Sequence, residues 1–188
     1  MKKSILSLAM LLLTTISFAQ KSSDKHYGKN IIAFNPVTLM SDSHVGVGFS
    51  YERLVNDYFG IKVPVMIGIN SQYTNIGVEL KLYPGRNNGP AKYAIAPMLM
   101  FGVGETRETM WQYNNQTFQN EQISIVTPRT HYGFLLNQTL NFTIMKNFYI
   151  GLDGGIGLNY YDSQVTNNNG NSHLSFAGQL QLAMGVRF

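Results

Sequence analysis

Histidine and serine side chains have the greatest potential for chemistry in this sequence. His44, His131 and His173 each lie at the predicted start of a β-strand, and histidine is the commonest metal ligand in proteins. The three predicted strands are not neighbours, and no carboxylate has a spacing that would complete a metal site. We therefore interpret the histidines as polar residues at one rim of the fold, and we predict no metal site and no cofactor.

A nucleophile set is the second arrangement to consider. Ser175, His131 and either Glu105 or Asp162 could form a Ser–His–acid set at that rim, as in barrels that hydrolyse or transfer lipid acyl chains. Serine is abundant here, the spacing is not diagnostic, and no G-x-S-x-G sequence is present. The sequence thus predicts a protein that is not an enzyme and has no catalytic residue, with a rim acyl hydrolase or acyltransferase as the least favoured alternative.

The composition excludes several other classes of function. Charged residues make up 13% of the chain, whereas ordinary domains have about 25%. Cysteine is absent, which excludes a disulfide framework, a thiolate nucleophile, a cysteine-ligated zinc site and a lipid-modified cysteine. Basic residues number 14 and acidic residues 10, without any basic run, so we predict no nucleic-acid partner.

The first residues, MKKSILSLAMLLLTTISFAQ, have the pattern of a secretory signal peptide. Lys2 and Lys3 precede an apolar stretch that ends near Phe18, and small residues lie at the positions before Gln20. The stretch is shorter than the roughly 20 residues that a membrane-spanning helix needs. We predict a signal peptide over residues 1–19 and an exported domain over residues 20–188.

Hydrophobicity after Gln20 alternates with a period of two residues, which is typical of β-strands. Eight strands are predicted, over about residues 30–40, 45–55, 59–70, 75–83, 92–105, 130–144, 148–162 and 174–188. Several exceed the usual five or six residues of a soluble sheet and suit tilted strands of roughly 9–11 residues that cross a bilayer. The first strand is the least regular, because Pro36 interrupts its ladder.

The connections between these strands alternate in length. Turns after strands 2, 4 and 6 are short, whereas the segments 106–129 and 163–173 are longer and polar. Short periplasmic turns and longer external loops are typical of outer-membrane barrels. The first long segment contains Trp111, Tyr113 and Phe118, which could form an external contact surface or prolong the hairpin of strands 5 and 6. We favour the extended hairpin.

The two faces of the predicted strands differ in charge. The polar face carries Glu52, Lys62, Glu79, Lys81, Asp153 and Arg187. The apolar face is almost free of charge, with Arg53 as its main exception, and has aromatic residues near the strand ends, namely Tyr51, Tyr93, Tyr132, Phe142, Phe148, Tyr160 and Phe188. Aromatic girdles around an apolar exterior are typical of membrane barrels, whereas a water-soluble barrel such as a lipocalin has its apolar face inside.

The six polar-face charges are therefore predicted to lie in the lumen. An eight-stranded barrel has an interior just wide enough for side chains to fill, and buried charges must be paired. A three-residue turn at residues 56–58 would place Glu52 opposite Lys62. We predict a salt-bridge network that closes the lumen, with a narrow ion or small-solute channel as the alternative.

The strand pattern and the terminal segment LQLAMGVRF resemble the small eight-stranded outer-membrane barrels of the OmpA/OmpX type, from about Lys29 to Phe188. The segments KNIIAFNP, FSYERLVNDYFGIKV and VELKLYPG further resemble an uncharacterised group of such barrels from Gram-negative bacteria. The resemblance implies that Phe188, as a C-terminal aromatic residue, is the signal that the barrel-assembly machinery reads. It implies a location and a fold but no activity.

The predicted protein is an all-β, eight-stranded, antiparallel, up-and-down transmembrane β-barrel in the outer membrane of the cell envelope. Its predicted role is structural or in surface interaction. The expected partners are outer-membrane lipid, the secretion and barrel-assembly machinery during biogenesis, and an external ligand or surface reached through the long loops.

Overall fold

A computed structural model describes residues 28–41, 44–69, 72–85, 90–114, 119–144, 147–163 and 174–188. The predicted signal peptide, residues 1–19, lies outside these ranges. The strands are β1 (Asn30–Met40), β2 (Val45–Leu54), β3 (Phe59–Gly68), β4 (Tyr73–Leu82), β5 (Ala91–Asn114), β6 (Gln119–Ile144), β7 (Phe148–Asp162) and β8 (Ser175–Arg187). Within the described ranges, no helix is long and apolar enough to cross a membrane.

The eight strands form one closed barrel in which each strand pairs with the next. All pairs are antiparallel, including the closing pair of β8 with β1. The predicted fold, an all-β, eight-stranded, up-and-down antiparallel barrel, is confirmed. The predicted bounds of β1–β4, β7 and β8 are also close to those observed.

The turn between β2 and β3 shows how local sequence sets the register. The Asn56 side-chain oxygen accepts hydrogen bonds from the backbone N–H groups of Tyr58 (2.8 Å) and Phe59 (2.9 Å). Such a side-chain bond to the following backbone stabilises a tight turn. The turn places Glu52 directly opposite Lys62, as the sequence predicts.

The hairpin of β5 and β6 is longer than the predicted strands. Pairing continues without a shift from the Glu105–Pro128 pair to the Asn114–Gln119 pair. Segment 106–129 is therefore mostly strand, as in the favoured extended hairpin. The start of β6 predicted at residue 130 was wrong, because Ile123, Ile125 and Val126 have the β-branched side chains that suit a strand.

The neighbouring strands end well before this hairpin does. The pairing of β4 with β5 ends at the Tyr73–Gly104 pair, and the pairing of β7 with β6 ends at the His131–Asp162 pair. We call residues 105–114 and 119–128 the ribbon. We call the barrel end that carries it the ribbon end, and the opposite end, with the turn at residues 55–58, the turn end.

Pro36 lies at a bulge in β1. The register of β1 shifts between Asn35 and Thr38 against β2, and between Phe34 and Val37 against β8. Because proline cannot donate a ladder hydrogen bond, a bulge is a position where a strand tolerates it. The bulge accounts for the irregular alternation of this segment.

The alternation places apolar side chains on the outside of the barrel. Phe49 is 58% exposed, Leu99 66% and Ile156 67%. The buried side chains that face the lumen are instead rich in polar groups, such as Asn35, Thr139 and Asp153. The chain therefore has the reverse of the usual arrangement in a water-soluble domain, where large apolar side chains are buried.

Candidate functional site

An ion network crosses the lumen near the turn end. Lys62 of β3 pairs with Asp153 of β7, and its Nζ lies 3.5 Å from Glu79 Oε2 of β4. Lys81 Nζ, also on β4, lies 3.2 Å from Glu52 Oε2 of β2 and 3.7 Å from Asp153 Oδ1. All five side chains are buried. Asp153 thus contacts two ammonium groups on the other side of the barrel.

The register of neighbouring strands does not by itself decide which residues form ion pairs in this network. Glu52 and Lys62 are opposite each other on β2 and β3, yet Glu52 forms its ion pair with Lys81 of β4. The sixth predicted residue, Arg187, lies buried on β8, and its Nε donates to the Gly28 carbonyl oxygen at 2.7 Å.

Neutral polar side chains extend the network. The Tyr83 hydroxyl donates to Glu52, Asn141 Nδ2 donates to Tyr83 Oη at 3.2 Å, and the Tyr149 hydroxyl donates to Asn141 Oδ1 at 2.7 Å. Asn137 Nδ2 donates to Glu79 Oε1 at 3.0 Å. These residues were missed by the sequence analysis, although Asn137, Asn141 and Tyr149 lie on its polar face. Buried carboxylates require such donors.

The middle of the lumen is less polar. Met98, Met100, Leu135 and Ala177 form a buried cluster against which Met40 packs. A cavity of about 20 Å³ beside this cluster is lined by methionine, amide and small apolar residues.

A second polar cluster lies towards the ribbon end. The rings of His44 and Tyr73 stack with centroids 4.9 Å apart, and those of Tyr73 and His131 with centroids 5.2 Å apart. The Tyr73 hydroxyl is also hydrogen-bonded to the His131 ring. Arg129 binds Asp162 through two nitrogens, with Nη2–Oδ2 at 2.5 Å and Nε–Oδ1 at 3.1 Å.

This cluster changes the interpretation of the histidines. The strands that carry them are not neighbours, but Tyr73 lies between His44 and His131 and joins them across the narrow lumen. The predicted placement of His131 at the start of β6 was wrong, because β6 begins at Gln119. His173 lies outside the described residues. Within the part of the chain that is described, no three His, Cys, Asp or Glu residues are grouped to hold a metal ion.

The hydroxyl of Ser175 contacts the Asp162 carboxylate rather than a histidine. Ser175 Oγ donates to Asp162 Oδ2 at 3.4 Å and accepts a hydrogen bond from Asn159 Nδ2 at 3.0 Å. In a Ser–His–acid set the histidine lies between the serine and the acid. The contacts of Ser175 therefore do not have the order that this chemistry requires.

The ribbon carries exposed apolar side chains on both strands. Trp111 is 71% exposed and Met110 51% on β5, and Ile125 and Val126 are exposed on β6. Tyr113 belongs to the β5 part of the ribbon, and Phe118 lies outside the described residues.

Phe188 lies beside the start of β1. Its backbone N–H donates to the Asn30 carbonyl oxygen and its carbonyl oxygen accepts from the Asn30 N–H, both at 2.8 Å. Its side chain is exposed on the outside of the barrel. Asn30 Oδ1 also accepts from Tyr51 and from Arg53, the charge on the outer face.

Two solved structures are similar to this chain. The N-terminal β-barrel domain of Pseudomonas aeruginosa OprF has 10% sequence identity and a TM-score of 0.48, over 87% of this chain and 100% of that one. Ail, the attachment invasion locus protein of Yersinia pestis in complex with the heparin analogue sucrose octasulfate, has 14% identity and a TM-score of 0.39, over 87% and 100%. No family model and no curated protein matches the chain.

The architecture is that of a small eight-stranded antiparallel β-barrel. This assignment is based on the closed antiparallel ladder of the chain itself. This is the fold that the resemblance to the OmpA/OmpX type implies.

Proposed function

We propose that this chain is an integral outer-membrane barrel with a closed lumen and no enzymatic activity, whose ribbon contacts a partner outside the cell. The apolar side chains on the outside of the barrel support the membrane location. The lengths of β1–β4, which have 10 or 11 residues each, support it too. At about 3.3 Å per residue and a tilt of roughly 45°, such strands span an apolar band about 25 Å tall.

The proposal of a closed lumen is based on the pairing of Asp153 with Lys62 and Lys81. It joins β7 to β3 and β4 across the lumen rather than along its wall. The buried network beside it supports this proposal, as do the stacked rings of His44, Tyr73 and His131, which form a second layer at the ribbon end. Eight strands leave an interior that side chains of this size can fill.

Planar-bilayer conductance of the refolded protein tests the closed lumen, with the heat-dependent gel shift of a folded barrel as the control for the sample. We expect no current steps from the unaltered chain. The variant Lys62→Ser/Glu79→Ser removes one charge of each sign from the network and is expected to conduct. Arg53→Ser, which removes a charge from the outer face, is its matched control and should stay silent.

Discrete current steps from the unaltered protein would instead favour the narrow channel. If neither the unaltered chain nor the Lys62→Ser/Glu79→Ser variant conducts, the lumen is closed by another layer, such as the one at the ribbon end.

The ribbon supports a role in surface interaction. Both of its strands extend beyond the strands that flank them in the barrel, and they carry Trp111 and Met110 into an exposed position. Exposed aromatic and methionine side chains are enriched at protein interaction surfaces. With the start of β1 and the end of β8, which lie at the turn end, facing the periplasm, the ribbon would extend outwards from the cell.

A further inference from the structure

The middle layer of the lumen is rich in thioether sulfur. Met66 of β3 and Met98 and Met100 of β5 line the same cavity of about 20 Å³. Each of these side chains is at most 4% exposed. Met40 of β1 packs against the same group. Among the described residues, Met184 instead lies exposed on the outer face of the barrel.

The sulfur atoms face amide groups. Asn75 Nδ2 lies 3.4 Å from Met40 Sδ, and Asn137 Nδ2 and Gln179 Nε2 lie 3.7 Å and 4.0 Å from Met98 Sδ. Thioether sulfur is a weak hydrogen-bond acceptor. The Oδ1 atom of Asn75, which lines the cavity, is buried without a hydrogen-bond partner. The Asn75 Oδ1 atom is thus available at the cavity, beside the thioether side chains that line it.

Two glycines make room for these methionines. A Cβ atom on Gly77 would lie 2.9 Å from Met98 Sδ, and one on Gly46 would lie 3.0 Å from Met66 Cγ. Real side chains rarely approach this closely, so a larger residue at position 77 would displace Met98, whereas one at position 46 would first meet the Ile67 carbonyl oxygen at 2.6 Å.

We propose that this layer binds one soft monovalent cation, Cu(I) or Ag(I), through the sulfur atoms of Met66, Met98 and Met100, with the side-chain oxygen of Asn75 beside it. Soft thioether ligands select such ions. Every residue that lines the cavity is uncharged, so the site lacks the carboxylate and imidazole ligands that Ca²⁺ and Zn²⁺ prefer. The volume suffices for one ion, since a site of 10–15 Å³ already holds a water molecule.

The test is a titration of the refolded full chain with Ag(I), which needs no reductant, followed by NMR of methionine methyl groups labelled with ¹³C. We expect the methyl signals of Met66, Met98 and Met100 to shift together and to saturate at one equivalent. The signals of Met110 and Met184, which are exposed, should not move. Zn(II) should cause no shift.

The variant Met98→Leu/Met100→Leu should bind Ag(I) roughly 100-fold more weakly or worse, the scale on which metal sites respond to changed surroundings. Leucine is close to methionine in volume, so the barrel should still fold, as its heat-dependent gel shift would show. Met110→Leu/Met184→Leu is the matched control and should bind like the unaltered chain.

Three results would overturn the proposal. The first is the absence of shifts even when Ag(I) is present during refolding, which removes any barrier to entry. The second is equal binding by the two double variants, which would mean adventitious binding at exposed methionines. The third is equal binding of Zn(II), which would contradict a soft site.

Discussion

At the scale of single residues, Asp153 decides how the charges in the lumen are balanced. It is fully buried and contacts both Lys62 and Lys81, whereas Glu52 and Glu79 each pair with one lysine. A buried ion pair is weak evidence for net stability. Removal of one shared partner is costly nevertheless, because it leaves two buried ammonium groups with fewer counter-charges.

We therefore expect Asp153→Ala to lower the free energy of unfolding by about 3–5 kcal/mol, the range for breaking a buried pair. The measurement is urea unfolding of the protein refolded into lipid. Asp57→Ala, at an exposed turn position, is the control and should change this free energy by less than about 0.5 kcal/mol. Asp153→Asn keeps the side-chain volume, so a stability equal to that of the unaltered chain would show that volume rather than charge matters.

At the scale of elements, the ribbon is distinguished by its length and by its continuous pairing. Its strands continue the β5–β6 ladder beyond the positions where β4 and β7 stop. A two-stranded ribbon is marginally stable alone, but here the barrel holds the first pairs in register. The element is therefore suited to present Trp111 at a distance from the membrane surface.

The external position of the ribbon can be tested by thiol labelling, because the chain has no cysteine of its own. Trp111→Cys should react with a membrane-impermeant maleimide on intact cells. Val55→Cys, at the exposed turn end, should react only after the outer membrane has been permeabilised. The reverse pattern of labelling would show that the barrel is inserted with the ribbon towards the periplasm.

At the scale of the whole molecule, the barrel depends on the seam between β8 and β1. Gly185 lies opposite Ala33 of β1 and Tyr149 of β7. A Cβ atom on Gly185 would lie 2.0 Å from the Ile32 carbonyl oxygen and 2.6 Å from the Ala33 Cα atom. Both are backbone atoms of the neighbouring strand, so no side-chain rotation can relieve the contact.

Gly185→Ala should consequently force β8 away from β1 and destabilise the closed barrel by about 1–3 kcal/mol or more, as overpacking does. Gly154→Ala is a matched control on β7, since its Cβ atom would meet only Leu180 Cδ1 at 3.6 Å. The fraction of heat-modifiable protein and the midpoint of urea unfolding report closure. Equal values for both variants would contradict the importance of the seam.

The sequence alone determined the number of strands, their order along the chain, the face of each strand and the register of the β2–β3 turn, but not the full length of β5 and β6. These features follow from a period of two residues and from turn chemistry, both of which are local. The prediction placed Glu52, Lys62, Glu79, Lys81 and Asp153 on one face, and the structure places these side chains together in the lumen. The closing role of this network and the role of Phe188 in assembly stay predictions.

Only the tertiary structure decided which of these residues meet. The pairing of Asp153 with Lys62 and Lys81, the stacking of Tyr73 between His44 and His131, and the methionine-lined cavity all join strands that are not neighbours in the sheet. Alternation gives the face of a residue, but contacts across a lumen depend on how the strands tilt and stagger when the sheet closes. Those quantities belong to the closed barrel and not to any one segment of the sequence.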